Sequence, residues 1–163
     1  GLVDIYLPDF KYLNTDHAKK YSMAEDYPEI AKAALAEMVR QTGEPVFDER
    51  GMMKRGVIVR HLLLPGCLAD GKRVVKYLHE TYGNRIYMSL MSQYTPPTGM
   101  TGRLAPLESL DAVKYPELNR KVPEYAYEKL VDYAISLGVM QAFIQEGDTA
   151  KESFIPPFTL EGV

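Results

Sequence analysis

The chain has 163 residues, enough for one domain, and its 46% hydrophobic and 25% charged composition supplies a core of ordinary size. A net charge of -3 without any basic block argues against a nucleic-acid surface, and no apolar run reaches the roughly 20 residues that span a bilayer. The single cysteine, Cys67, excludes an intramolecular disulfide and any metal site built from several thiolates of this chain, and it fits a reducing, cytoplasmic setting.

Leu2–Leu7 (LVDIYL) reads as a first strand with no polar lead-in. Domains usually begin with some slack. The expectation is therefore a chain that starts inside a larger domain, the other reading being an expression remnant at Gly1. Pro8 breaks the strand, and Asp9, Phe10 and Lys11 come at its carboxyl end. Asp16–Met23 is expected as a short helix with Thr15 as N-cap. Asp26–Gln41 is a strong helix. Proline and acids stand in its first turn, Ile30, Ala33, Ala34, Met38 and Val39 make its apolar stripe, and Gly43 stops it. Pro45–Lys54 is an extended arm that turns at Arg50-Gly51 and pairs as a hairpin with the next strand.

Arg55–Gly66, RGVIVRHLLLPG, is the centre of the pattern. Its β-branched and leucine run predicts a strand over Gly56–Leu64 buried on both faces. Pro65-Gly66 closes it, since proline cannot continue a ladder. Arg60 is out of place there: a buried guanidinium needs a partner or an anionic ligand. Asp70–Tyr82 is the next helix, with Val74, Val75, Leu78 and Tyr82 inward. Arg85–Gln93 is a strand, and Tyr94–Ala105 is a loop rich in proline and glycine. Leu107–Leu118 reads as one short helix. Val122–Leu137 is a helix with Pro123 at its start and Gly138 past its end. Val139–Ile144 is a short strand, and the tail from Gln145 is irregular.

Strands alternating with helices predict an α/β fold with a mostly parallel sheet of three to four strands, flanking helices and a hairpin arm. So narrow a sheet leaves its outer strands open. Part of a barrel is one solution; a subunit that pairs by its edge, such as a homodimer, is the other.

Ligands of parallel sheets sit beyond the carboxyl ends of the strands. Asp9 and Lys11, two apart in extended chain, point to one side there. On the central strand Ile58, Arg60, Leu62 and Leu64 share one face, and Val57, Val59, His61 and Leu63 share the other. On the next strand Tyr87, Ser89, Met91 and Gln93 form the more polar, ligand-facing side. A carboxylate and two cations on neighbouring strands suit a small zwitterionic or anionic ligand. Spacing alone leans to an internal ion pair, Asp9 with Arg60 or Lys11. His61 is expected as a packed histidine rather than a catalyst, His17 and His79 as solvated, and Cys67 as a bystander.

Three segments, VDIYLPDFKY (Val3–Tyr12), RGVIVRHLLLPG (Arg55–Gly66) and IYMSLMSQYTP (Ile86–Pro96), carry a resemblance, as does the helix text Tyr21–Gly43. From Val3 to about Ile144 the chain resembles the C-terminal half of radical S-adenosylmethionine enzymes of the pyruvate formate-lyase activating enzyme type, especially an uncharacterised iron–sulfur branch. The resemblance implies a partial (β/α)6 barrel over residues 1–145, followed by an irregular tail over 146–163. It implies that Lys11 contacts the methionyl carboxylate of S-adenosylmethionine (SAM), with Asp9 beside the same ligand and available to a cation. It implies that Arg60 reaches the nucleoside end and that backbone near Leu62 flanks the adenine. The activating enzymes place a histidine at the end of the next strand; Gln93 is the substitute here.

The family's Cys-x-x-x-Cys-x-x-Cys motif, which holds a [4Fe-4S] cluster, is absent, as is its acidic glycine-rich segment. Both are expected N-terminal to Gly1. The expectation is an oxidoreductase in its intact form, with this chain inactive by itself, holding neither catalytic residues nor metal ligands. Its partners would be the missing half of the barrel and a glycyl-radical enzyme or other protein substrate, met in part by the Tyr94–Arg103 loop. The rival readings are a barrel-type lyase or isomerase using Lys11, and a non-catalytic module that pairs through its sheet edge.

Overall fold

The computed structural model describes residues 2–95 and 115–144. The loop beyond residue 95, the expected helix up to residue 114 and the tail from 145 lie outside the described residues. In chain order the elements are β1 (Ile5–Tyr6), α1 (Thr15–Ser22), α2 (Tyr27–Thr42), β2 (Val46–Phe47), β3 (Met53–Leu62), α3 (Leu68–Tyr82), β4 (Tyr87–Met91), α4 (Glu124–Ser136) and β5 (Ala142–Ile144). Single 3-10 turns lie at Gly83–Arg85 and Pro116–Leu118.

The sheet runs β1-β3-β4-β5, and each of these neighbouring pairs is parallel. β2 lies antiparallel on the start of β3, which is the expected hairpin arm. The spatial order of the parallel strands matches the chain order, as in a partial (β/α) fold. Pro8 removes a donor but does not end the pairing. Arg60 N–H donates to the Pro8 carbonyl at 2.8 Å, and Phe10 N–H donates to the Arg60 carbonyl at 2.8 Å. Parallel pairing therefore carries Asp9 alongside Arg60. Gly56, at φ +146°, is where β3 passes from β2 to β1; a Cβ there would lie 3.3 Å from Pro45 Cα.

One face of the sheet carries the core. Val57, Val59 and Leu63 of the central strand and Met88 and Leu90 of β4 pack against Leu35 and Val39 of α2, Val74, Val75 and Leu78 of α3, and Leu130 of α4. Burial of each such side chain contributes about 1.5–3 kcal/mol. α3 comes close because residue 71 is glycine. A Cβ there would stand 3.1 Å from His61 Nε2 and 3.1 Å from Leu63 Cδ1.

Three local expectations change. The cap of α1 is Asn14, not Thr15: its side chain accepts the Asp16 N–H at 2.8 Å. The buried stripe of α2 is Pro28, Leu35, Val39 and Thr42, while Ile30 is 58% exposed and Ala33 and Ala34 face outward. The helix is apolar around more than one face, and the stripe spaced 7, 4 and 3 residues apart is the one that meets β3. The central strand is buried on one face only: Val57, Val59, His61 and Leu63 are inside, whereas Ile58, Leu62 and Leu64 are half-buried and Arg60 is exposed. The helices described cover only the first face. Phe47, Tyr87 and Phe143 form a ring ladder on the other, with centroids 5.3 and 5.7 Å apart.

Candidate functional site

The face that the described helices leave uncovered holds the expected site residues near the carboxyl ends of the strands. Residues paired across parallel strands share a face. Arg60 is opposite Ser89, Leu62 is opposite Met91, and Asp9 is opposite Arg60. The Arg60 guanidinium grips the Asp9 carboxylate through Nε and Nη2, each 2.7 Å from Oδ1. The side chains are 45% and 42% exposed, so the pair is wet rather than buried. Both nitrogens converge on one oxygen, and the other Asp9 oxygen faces no described donor. The arginine's partner, sought from the sequence, is thus the aspartate.

Lys11 comes two residues later. Exposure alternates along Asp9, Phe10, Lys11 and Tyr12, with Phe10 and Tyr12 buried, as an extended segment requires. Among the described residues no carboxylate lies within ion-pair distance of Lys11. Its ammonium is available to an anion. Leu62 is half-buried beside Met91. Gln93 is exposed just past the end of β4 and bonds to no described residue, so it shares the end of the sheet without joining the pair.

The segment that carries Asp9 and Lys11 is tied down along its length. On the β3 side the Arg60 backbone takes Pro8 and Phe10. His61 Nδ1 lies 2.9 Å from the Phe10 carbonyl. That carbonyl only accepts, so Nδ1 carries the proton. Burial lowers the His61 pKa, outweighing the Phe10 carbonyl and the nearby Asp70, and keeps the ring neutral. His61 is a packed histidine, as expected. The Tyr27 hydroxyl accepts the Lys11 N–H at 2.8 Å and donates to the Asp9 carbonyl at 3.0 Å. Asp70, 3% exposed, accepts the Leu13 N–H at 3.3 Å and binds Arg73 at 2.8 Å.

Nothing in the sequence singles out Tyr27 or Asp70. A tyrosine before a proline and an aspartate in a first turn both read as ordinary helix starts. Their roles exist only because α2 and α3 pack where they do. His17 is not solvated as expected. It is 25% exposed, lies 3.5 Å from Asp70 Oδ2 and packs on Tyr21. Cys67 is buried at the start of α3, and burial raises its thiol to about 11, which makes it inert at neutral pH. With a single cysteine in the sequence and, among the described residues, no group of three His, Cys, Asp or Glu placed to hold a metal, this chain's donor set does not fit an iron–sulfur cluster.

Among the described residues no helix is long and apolar enough to cross a membrane. No family model and no solved structure matches the chain. It is 25% identical over 135 residues to the uncharacterized protein MJ0674 of Methanocaldococcus jannaschii, a match that covers 82% of this chain and 32% of that protein. The chain thus spans about a third of the length of this curated relative.

Proposed function

We propose that this chain is part of a radical SAM enzyme of the glycyl-radical activating type and that it supplies part of the SAM pocket. The observation that carries the proposal is the Asp9–Arg60 pair with the unpaired Lys11 ammonium, set at the carboxyl ends of adjacent parallel strands on a sheet face left open by the described helices. Lys11 would hold the methionyl carboxylate by charge. Arg60, steadied by Asp9, has guanidinium N–H groups left for the nucleoside end, and Leu62 and Gln93 would flank it. The cluster that supplies the reducing electron would be held by residues outside this chain. A cytoplasmic setting, the remaining part of the barrel and a protein substrate belong to the same proposal.

Calorimetric titration with SAM tests it. Lys11→Ala and Arg60→Ala should each weaken binding by about tenfold or more, as loss of a charge-assisted bond does. The half-exposed pair should add little to folding, so Arg60→Ala should cost no more than about 1 kcal/mol of stability. Unchanged affinity in both variants, with stability lost in Arg60→Ala, would make Asp9–Arg60 a structural tie instead.

A further inference from the structure

The Asp9–Lys11 segment has two backbone edges. The Pro8 carbonyl and the Phe10 N–H face β3 and are bonded to Arg60. The Asp9 carbonyl and the Lys11 N–H point the opposite way, because successive backbone groups of a strand alternate between its edges. On that outer edge the place of a neighbouring strand is taken by one side-chain oxygen. The Tyr27 hydroxyl accepts from Lys11 at 2.8 Å and donates to Asp9 at 3.0 Å. Tyr27 is the first residue of α2, and Pro28 beside it is buried. Its ring lies edge-on to the buried Tyr12, with centroids 5.7 Å apart. The hydroxyl is therefore fixed by the helix and by the ring packing, independently of the segment it holds.

We propose that Tyr27 is a positioning residue of the ligand site: its hydroxyl fixes the main chain at residues 9 and 11 and so aims the Asp9 carboxylate and the Lys11 ammonium together. This rests on the reading of those two side chains as SAM contacts. Neither backbone group has another described partner. Without the hydroxyl, the main chain between Phe10, bonded to β3, and Leu13, bonded to Asp70, loses the bonds that fix its outer edge, and Lys11 loses its fixed origin. Fixing a long side chain at its root reduces the entropy that a ligand contact must overcome.

Tyr27→Phe in the full 163-residue chain removes the oxygen and keeps the ring. SAM affinity should fall about five- to tenfold, the effect of one hydrogen bond. In Tyr27→Phe/Lys11→Ala the loss should be smaller than the sum of the two single losses, because Tyr27 acts through Lys11. Additive losses would overturn the positioning role while leaving Lys11 as a contact. Amide hydrogen exchange gives a second readout that needs no ligand. Tyr27→Phe should lower protection of the Lys11 amide about tenfold and leave the Phe10 amide unchanged. If no SAM binds to the wild type, the functional reading fails, and exchange alone decides whether the hydroxyl holds the segment. Unchanged Lys11 protection would then overturn the inference.

Discussion

His61 and Arg60 are consecutive on β3 and point to opposite faces, and each holds the segment after Pro8 in a different way. Arg60 takes a carboxylate in water; His61 takes a carbonyl in the core. Protonating His61 would place a second N–H at Nε2, which has no partner among the described residues and sits against Gly71. A base whose folded pKa is depressed gives stability that is complete above its unfolded value, about 6.5, and is lost as pH falls from there towards the folded value. Thermal melts should therefore show a midpoint that drops as pH falls below about 6.5. His61→Gln, which keeps a donor for Phe10 and cannot titrate, should flatten that drop. At this scale the sequence is partly legible. A charged residue within an apolar run announces that Arg60 needs a partner, and Asp9 is among the candidates. Tyr27 gives no comparable signal, because a phenol is at home in many settings and its two bonds depend on where α2 begins.

The elements show the same division. The two faces of β3 and β4 are readable, since a strict period of two leaves little choice once Val57, Val59 and Leu63 are assigned inward. The inward face of α2 is not. Alanine, isoleucine and methionine spread around the helix offer several stripes of similar hydropathy, and only contact with β3 selects Leu35 and Val39. The apolar run of β3 suggests burial on both faces for a related reason. Such a run records only that each face meets something apolar or is half-covered, and here the second face is the open one. The helix layer depends on α4 reaching α3. Leu130, fully buried, packs 3.4 Å from where a Gly71 Cβ would stand. Leu130→Ala should cost about 2–5 kcal/mol in chemical denaturation, as cavities left by leucine do. A loss below about 1 kcal/mol would mean that α4 is not part of the cooperative core.

At the scale of the molecule, the parallel order β1-β3-β4-β5 covers one face with α2, α3 and α4 and leaves the other with an aromatic ladder at its start and an ion pair near its end. In a (β/α) fold the helices lie outside and the ligand lies at the carboxyl ends of the strands. The architecture is legible because strand and helix periods alternate cleanly along the chain. The proposal of a SAM site draws on resemblance, since the spacing of Asp9, Lys11 and Arg60 alone leans to an internal ion pair. The most direct test of the SAM-pocket proposal is to map SAM onto the chain by amide chemical-shift changes. Changes should centre on Asp9, Lys11, Arg60, Leu62 and Gln93 and, in Lys11→Ala, need about tenfold more SAM or beyond to reach the same extent. No changes, or changes confined to the helix-covered face around His17 and Asp70, would contradict it.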